Sequence, residues 1–225
     1  MNNAFDVLSS RGVARLCHFT KLQSLAQIVS ADSGILPNSS IRSDIKNVTD
    51  RERYDGELQY VCCSVEYPNS WFLQTAIMNN TDKIFRDWLT IYIDLEILNL
   101  SDAKFCPCNA STDFGRYITN DINALFDNPV RCKRLFYRTS SMLSCCTTDG
   151  QAEILIKDGI PRNYFSGFAV GDKDMAGRVY AMLKTCGVKQ VPIYIAPNIL
   201  TPSWSNMVKS GQRPKEDLFV WPEEE

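Results

Sequence analysis

The chain has 225 residues, 44% of them hydrophobic and 22% charged, and its 24 Lys+Arg against 26 Asp+Glu leave a net charge of −2. This is the profile of a globular protein able to bury a full core, and it excludes a protein that coats nucleic acid through bulk positive charge. No apolar run approaches the ~18–20 residues that cross a bilayer, and Met1-Asn2-Asn3-Ala4-Phe5-Asp6 lacks the basic-then-apolar pattern of a secretion signal, so no membrane partner and a cytoplasmic location are expected.

No repeat, low-complexity tract or long Gly/Pro/Ser linker is present, which points to a single domain over 1–225. Leu16 to Thr20 reads as a short strand running into a helix whose Leu22, Leu25, Ile28 and Val29 share one face, with Gly34 as its left-handed stop. Residues 37–57 are polar and aperiodic, the mark of a long functional loop. Leu58 to Val65 is a strand candidate and Trp71 to Met78 a helix. Leu89, Ile91, Ile93 and Leu95 alternate with polar or amphipathic residues, which predicts a half-buried strand. Phe114 to Phe126 reads as a helix, and 128–150 as irregular. Ala152 to Ile156, Tyr164 to Val170 and Val191 to Ile195 are strands, and Met175 to Cys186 is an amphipathic helix stopped at Gly187. Strands and helices do not alternate strictly, so the fold class is α+β with a mostly antiparallel sheet.

Nine cysteines, an odd count with two adjacent pairs, do not form a disulfide framework. There is no C-x-x-C and only one histidine, so no metal site is expected, and reduced cysteines filling a core account for the count. G-x-G-x-x-G, Walker A, H-E-x-x-H and G-x-S-x-G are all missing.

Four groups carry chemistry. His18 and Thr20 share a strand face and suit a sugar or amide ligand; equally, Thr20 fits a helix cap and His18 a backbone-satisfied strand end. Glu153 sits in an apolar strand, where an unpaired buried carboxylate is costly, so it faces either a cleft or a solvated edge, with Gln151 on the same face. Arg131-Cys132-Lys133-Arg134-Leu135-Phe136-Tyr137-Arg138 sets four cations and two aromatics in eight residues. That composition suits phosphates and bases, with Arg131 and Arg134 as substrate contacts; a solvated amphipathic segment explains it nearly as well. In Asp50-Arg51-Glu52-Arg53-Tyr54-Asp55-Gly56, an arginine suits a pyrophosphate, and mixed charge alone suits a soluble loop.

In order along residues 13–170, these pieces resemble the DarT family of ADP-ribosyltransferases, toxins that modify bases in single-stranded DNA. His18-Phe19-Thr20 with Leu22 and Leu25 resembles its opening H-x-T and helix, and Arg53-Tyr54-Asp55-Gly56 its arginine-bearing loop. Ser64-Val65-Glu66-Tyr67-Pro68-Asn69 resembles an S-x-x-x-P-N turn, Asn109-Ala110-Ser111 an N-A-(A)-S segment, and Thr148-Asp149-Gly150-Gln151-Ala152-Glu153 the closing T-D-x-Q-A-E.

The resemblance implies a split β-sheet with flanking helices around a central NAD cleft. It implies a nicotinamide and ribose site at His18 and Thr20, Tyr67 as a further NAD contact, phosphate contact and transition-state support from Arg53, and Glu153 as the catalytic carboxylate. It also implies that 131–150 presents the substrate base and that no metal takes part. Arg42 and Arg51 compete with Arg53, because the loop is less arginine-dense than in the best-known branch. The implied acceptor is thymine or guanine in single-stranded DNA, with RNA bases, protein side chains or a non-catalytic strand-binding module as alternatives. A role in toxin–antitoxin pairs or phage defence follows from the same resemblance, with a macrodomain hydrolase as antidote.

Overall fold

The computed structural model describes residues 3–41, 54–81, 86–188 and 191–220. Helix α1 (Ala4–Ser10) lays Val7 and Leu8 on the core, and β1 (Leu16–Lys21) runs straight into α2 (Leu22–Ser30), which buries Leu25 and Val29. Strand β2 (Tyr60–Val65) leads to α3 (Ser70–Met78), started by the Asn69 side chain, which accepts from the Phe72 N–H at 3.1 Å. There follow β3 (Trp88–Ile93), β4 (Ala103–Cys106), the short hairpin of β5 (Val130–Arg131) and β6 (Leu135–Phe136), β7 (Glu153–Lys157) and β8 (Phe165–Val170). Helix α4 (Lys173–Thr185) is capped by Asp172, which accepts from the Met175 N–H at 2.8 Å. The chain ends through β9 (Ile193–Ile195), α5 (Trp204–Lys209) and β10 (Asp217–Leu218).

Eight strands form one sheet in the order β10-β9-β8-β3-β1-β2-β7-β4. Every pairing is antiparallel except β8 with β9, which agrees with the expected α+β class. The join between β1 and β2 positions the site. β1 pairs with β3 along its full length, from Leu16–Ile93 to Lys21–Trp88, but with β2 only at Leu16–Val65 and Cys17–Ser64. Beyond Cys17 and Ser64 the two strands diverge, and the sheet opens into a wedge.

Several sequence expectations are corrected. All six residues of β3 are buried, including Thr90, because the strand lies at the middle of the sheet; the alternation had predicted one wet face. The helix expected over 114–126 is two 3₁₀ turns, Thr112–Gly115 and Ile122–Phe126, between which Thr119 bridges Phe105. Asp113 and Phe114, at φ 48° and 57°, cannot continue a right-handed helix. Gly34 does not stop α2, which ends at Ser30; at φ +63° it passes so close to the 160 peptide that a Cβ would lie 2.2 Å from the Ile160 carbonyl oxygen. That approach lets Ile35 bridge Ile160. The segment 128–150 contains the β5–β6 hairpin, and α1 and β4 had no counterpart in the reading of the sequence.

The region after residue 200 packs onto the body. The Trp204 ring lies 5.2 Å from Tyr67 and 5.7 Å from Trp71, and its indole N–H donates to Ser70 Oγ at 2.9 Å. Arg15 pairs with Glu216, which also accepts from the Tyr92 hydroxyl at 2.7 Å.

Candidate active site

The wedge between β1 and β2 is a cavity of roughly 450 Å³. His18, Phe19 and Thr20 form one lip, and Val61, Cys62 and Ser64 the other. Ile28 of α2 and the 33–41 segment close one side, and Asn109, Ser111 and Glu153 close another. This size and mixed lining fall in the range of small-molecule sites.

Glu153 sits where the wedge begins. It is the first residue of β7, paired with Ser64 on one side and Cys106 on the other. Only 7% of it is exposed, and its carboxylate is held by donors: the Ala110 N–H reaches Oε2 at 2.7 Å and Asn109 Nδ2 lies 3.4 Å from Oε1. Asn109 is itself fixed by the Ser111 N–H, which donates to Oδ1 at 3.1 Å. The turn 109–111 thus aims the carboxylate by hydrogen bonds to it, as a buried anion requires.

His18 contacts the Cys62 carbonyl oxygen through Nδ1 at 3.0 Å across the wedge. A carbonyl only accepts, so this contact places a proton on Nδ1. Asp55 also lines the cavity; its Oδ1 accepts from the Glu57 N–H at 3.0 Å, and the Cys62 thiol lies 3.7 Å from Oδ2. Burial pushes the Cys17 thiol up to about 12 and the Cys63 thiol well above its ordinary value, so neither serves as a thiolate nucleophile near neutral pH.

The structure thus brings His18, Thr20 and Glu153 to one cavity and places other candidates elsewhere. Tyr67 is 2% exposed, packed against Trp204 and outside the cavity lining. Gln151 precedes β7 rather than sharing its face: its N–H donates to Asp149 Oδ1 at 3.0 Å in a tight turn, because the strand starts only at Glu153. Arg131 and Arg134 are exposed on the β5–β6 hairpin, but Arg138 turns inward, donating to the carbonyls of Cys146 at 2.6 Å and Leu143 at 3.0 Å. One of the four cations in that cluster is therefore structural. Arg42, Arg51 and Arg53 lie outside the described residues. Asn109 and Asp55 line the cavity without being singled out as site residues by the sequence, since an amide or carboxylate in a loop carries no periodic signal. Among the described residues, no group of three or more His, Cys, Asp or Glu side chains is placed to hold a metal ion, and no helix is long and apolar enough to cross a membrane.

The sequence matches the family described as "DarT: ssDNA thymidine ADP-ribosyltransferase, DarT" over residues 17–201. The chain belongs to the DarT family. Membership carries the enzyme class, an ADP-ribosyltransferase that uses NAD as donor. Solved DarT structures share the fold. Thermus sp. 2.9 DarT in complex with ADP-ribosylated ssDNA superposes with a TM-score of 0.61 at 12% identity, covering 84% of this chain and 96% of that one. The same protein in complex with NAD⁺ gives 0.57 at 12% identity, with 83% and 96% covered. Thermosipho africanus DarTG in complex with ADP-ribose gives 0.53 at 15% identity, with 83% of this chain and 51% of that one covered. No curated protein matches the sequence.

The DarT closing motif adds a pH signature. Burial raises the Asp149 carboxyl to about 6, against the lowering effects of the Gln151 N–H and Lys209. The folded state therefore holds this proton more tightly than the unfolded chain, and the stability it contributes below pH 4 is lost as pH rises to about 6. Asp149→Asn keeps an oxygen for the Gln151 N–H and removes the charge. Relative to wild type, it is expected to gain up to about 3 kcal/mol on going from pH 4 to pH 7, read by urea unfolding at both pH values. Parallel changes in the two proteins would show that Asp149 titrates normally.

Proposed function

We propose that the wedge holds NAD with its nicotinamide–ribose bond beside Glu153, and that this chain transfers the ADP-ribose to thymine in single-stranded DNA. The observation that carries the reading is the buried Glu153 carboxylate, aimed by Ala110 and Asn109 into a cavity whose other lip bears His18 and Thr20. The donor supplies a ribose whose bond to a cationic pyridine breaks with positive charge developing on the anomeric carbon. Glu153 stabilises that charge and orients the ribose hydroxyls. His18 and Thr20 offer hydrogen bonds to the ribose and the carboxamide. The glycosidic electron pair leaves with nicotinamide, and the acceptor nitrogen forms the new bond to the anomeric carbon. In thymidine the nitrogen that carries a proton is N3, and Glu153 takes that proton as N3 attacks. Arg53 is assigned to the NAD phosphates on resemblance alone.

N3 lies on the pairing edge of the base, so the acceptor must be unpaired. The role of the enzyme in the cell is that of a toxin acting on exposed DNA strands, including those of an invading phage. Its partner is an antitoxin that removes the adduct, with a macrodomain hydrolase as the class implied by the resemblance.

Incubation with NAD is expected to add one ADP-ribose to thymine-containing single-stranded oligonucleotides, detected by mass spectrometry. Duplexes and thymine-free strands should stay unmodified. Labelling confined to guanine would move the acceptor, and labelling of peptides or RNA alone would overturn the assignment to DNA.

A further inference from the structure

Outside the cavity, one surface feature has a costly backbone and no packing reason. Phe114 is 79% exposed and Tyr54 is 50% exposed, yet their rings meet edge to face at 5.7 Å and 85°. Phe114 and Asp113 are both left-handed, at φ/ψ of 57°/43° and 48°/42°. That region is unfavourable for residues with a Cβ, and strained positions of this kind gather at functional surfaces. The turn is secured from both ends. Asp113 Oδ2 accepts from the Tyr117 hydroxyl at 3.1 Å, and Gly115, at φ +81°, lies so close to the 55 peptide that a Cβ would be 2.8 Å from the Asp55 carbonyl oxygen. The protein thus maintains an aromatic pair in solvent.

The pair stands at the cavity rim. Asp55, next to Tyr54, and Ser111, three residues before Phe114, both line the cavity. Cations lie beside it. Cys132 packs on the same small cluster as Tyr117 and Ile118, around Cys106, Cys108 and Ala110. Its hairpin therefore holds the exposed Arg131, Lys133 and Arg134 next to the turn, which itself carries the exposed Arg116. Aromatic faces flanked by cations suit a single strand of nucleic acid, whose bases stack and whose phosphates carry charge. A duplex offers no free base face, and NAD is already placed in the wedge.

We propose that Tyr54 and Phe114 form a stacking ledge for the unpaired base next to the one being modified, with the hairpin cations on the adjoining phosphates. This rests on the reading of the wedge as a DNA-modifying site, and it adds a specificity-determining subsite outside it.

The test uses the full chain and a fluorescent single-stranded oligonucleotide. Phe114→Ala and Tyr54→Ala are each expected to weaken binding by about 5- to 100-fold, with Phe114→Trp close to wild type. KM for NAD and the melting temperature should not move, since both rings are exposed. An abasic nucleotide scanned along the strand should reveal one position that weakens wild type by the same factor and has no further effect on Phe114→Ala. Wild-type-like binding by both alanine variants would overturn the ledge, as would abasic effects that simply add to the substitution. A raised KM for NAD with unchanged oligonucleotide binding would give the ledge to adenine and overturn it too. If wild type labels no oligonucleotide, the reading of the wedge as a DNA-modifying site fails, whereas labelling with unaltered variants sinks the ledge alone.

Discussion

Glu153→Gln is expected to lower ADP-ribose transfer to single-stranded DNA by about 10³-fold, because in the proposed mechanism one carboxylate supplies both electrostatic stabilisation and proton acceptance. The glutamine keeps the shape of the side chain, and its amide oxygen still accepts the Ala110 N–H that lies 2.7 Å from Oε2. Its NH₂ replaces Oε1 opposite Asn109 Nδ2, losing that long 3.4 Å contact, while Asn109 Oδ1 stays on the Ser111 N–H. Stability should therefore stay close to wild type, and the loss should appear in kcat rather than in KM for NAD. Time courses by mass spectrometry, with thermal melting alongside, check both halves. A rate within tenfold of wild type in a folded variant would remove Glu153 from the chemistry.

Trp204→Ala is expected to cost about 3–5 kcal/mol, the range for truncating a large buried aromatic side chain. Trp204 is 2% exposed, packs on Tyr67 and Trp71, and donates to the hydroxyl of fully buried Ser70. Removing it opens a void and orphans that hydroxyl. For a chain of this size the melting temperature should fall by roughly 6–20 °C. The loss reaches the site as well. Gly150 is wedged between the two indoles, so that a Cβ there would lie 2.9 Å from ring atoms of both Trp71 and Trp204. With one indole gone, the turn that delivers the chain to Glu153 loses a wall. Trp204→Phe, which keeps most of the packing, should recover more than half of the stability. An alanine variant as stable as wild type in urea would show that the region after residue 200 is not integral to the core.

The legible parts of this protein are those in which one local rule decides. β1 and the body of α2 are legible because a short strand-like segment passes directly into a helical stripe at Leu22, Leu25 and Val29. Glu153 stood out because a charge in an apolar strand demands an explanation, and its place at the start of β7 supplies one. What remained hidden depends on distant partners. The apolar residues at 114–126 have helical spacing, but Ile122, Leu125 and Phe126 are buried from a 3₁₀ turn, and the stretch before them is occupied by pairing between Thr119 and Phe105. β4 is four residues long and exists through its pairing with β7, which no local pattern encodes. Tyr67 lies in a motif that points toward NAD, yet its ring fills the core, because Trp204, far along the chain, packs on it. Arg138 looked like a surface cation until the carbonyls of Leu143 and Cys146 were brought to it.

The two residue pairs at the narrow end of the wedge, Leu16–Val65 and Cys17–Ser64, divide labour within the molecule. Glu153 is anchored at the closed end, through its pairing with Ser64, so its position is inherited from the hydrogen-bonded ladder of the sheet. The 33–41 segment and Asp55 line the cavity from outside the strands that fix Glu153. Such an arrangement would let the rest of the lining be remodelled toward other strand sequences or base contexts while the proposed catalytic carboxylate stays in register. Variation that retunes the target should gather in that outer lining, and on the proposed mechanism changes at the β1–β2 join should silence the enzyme.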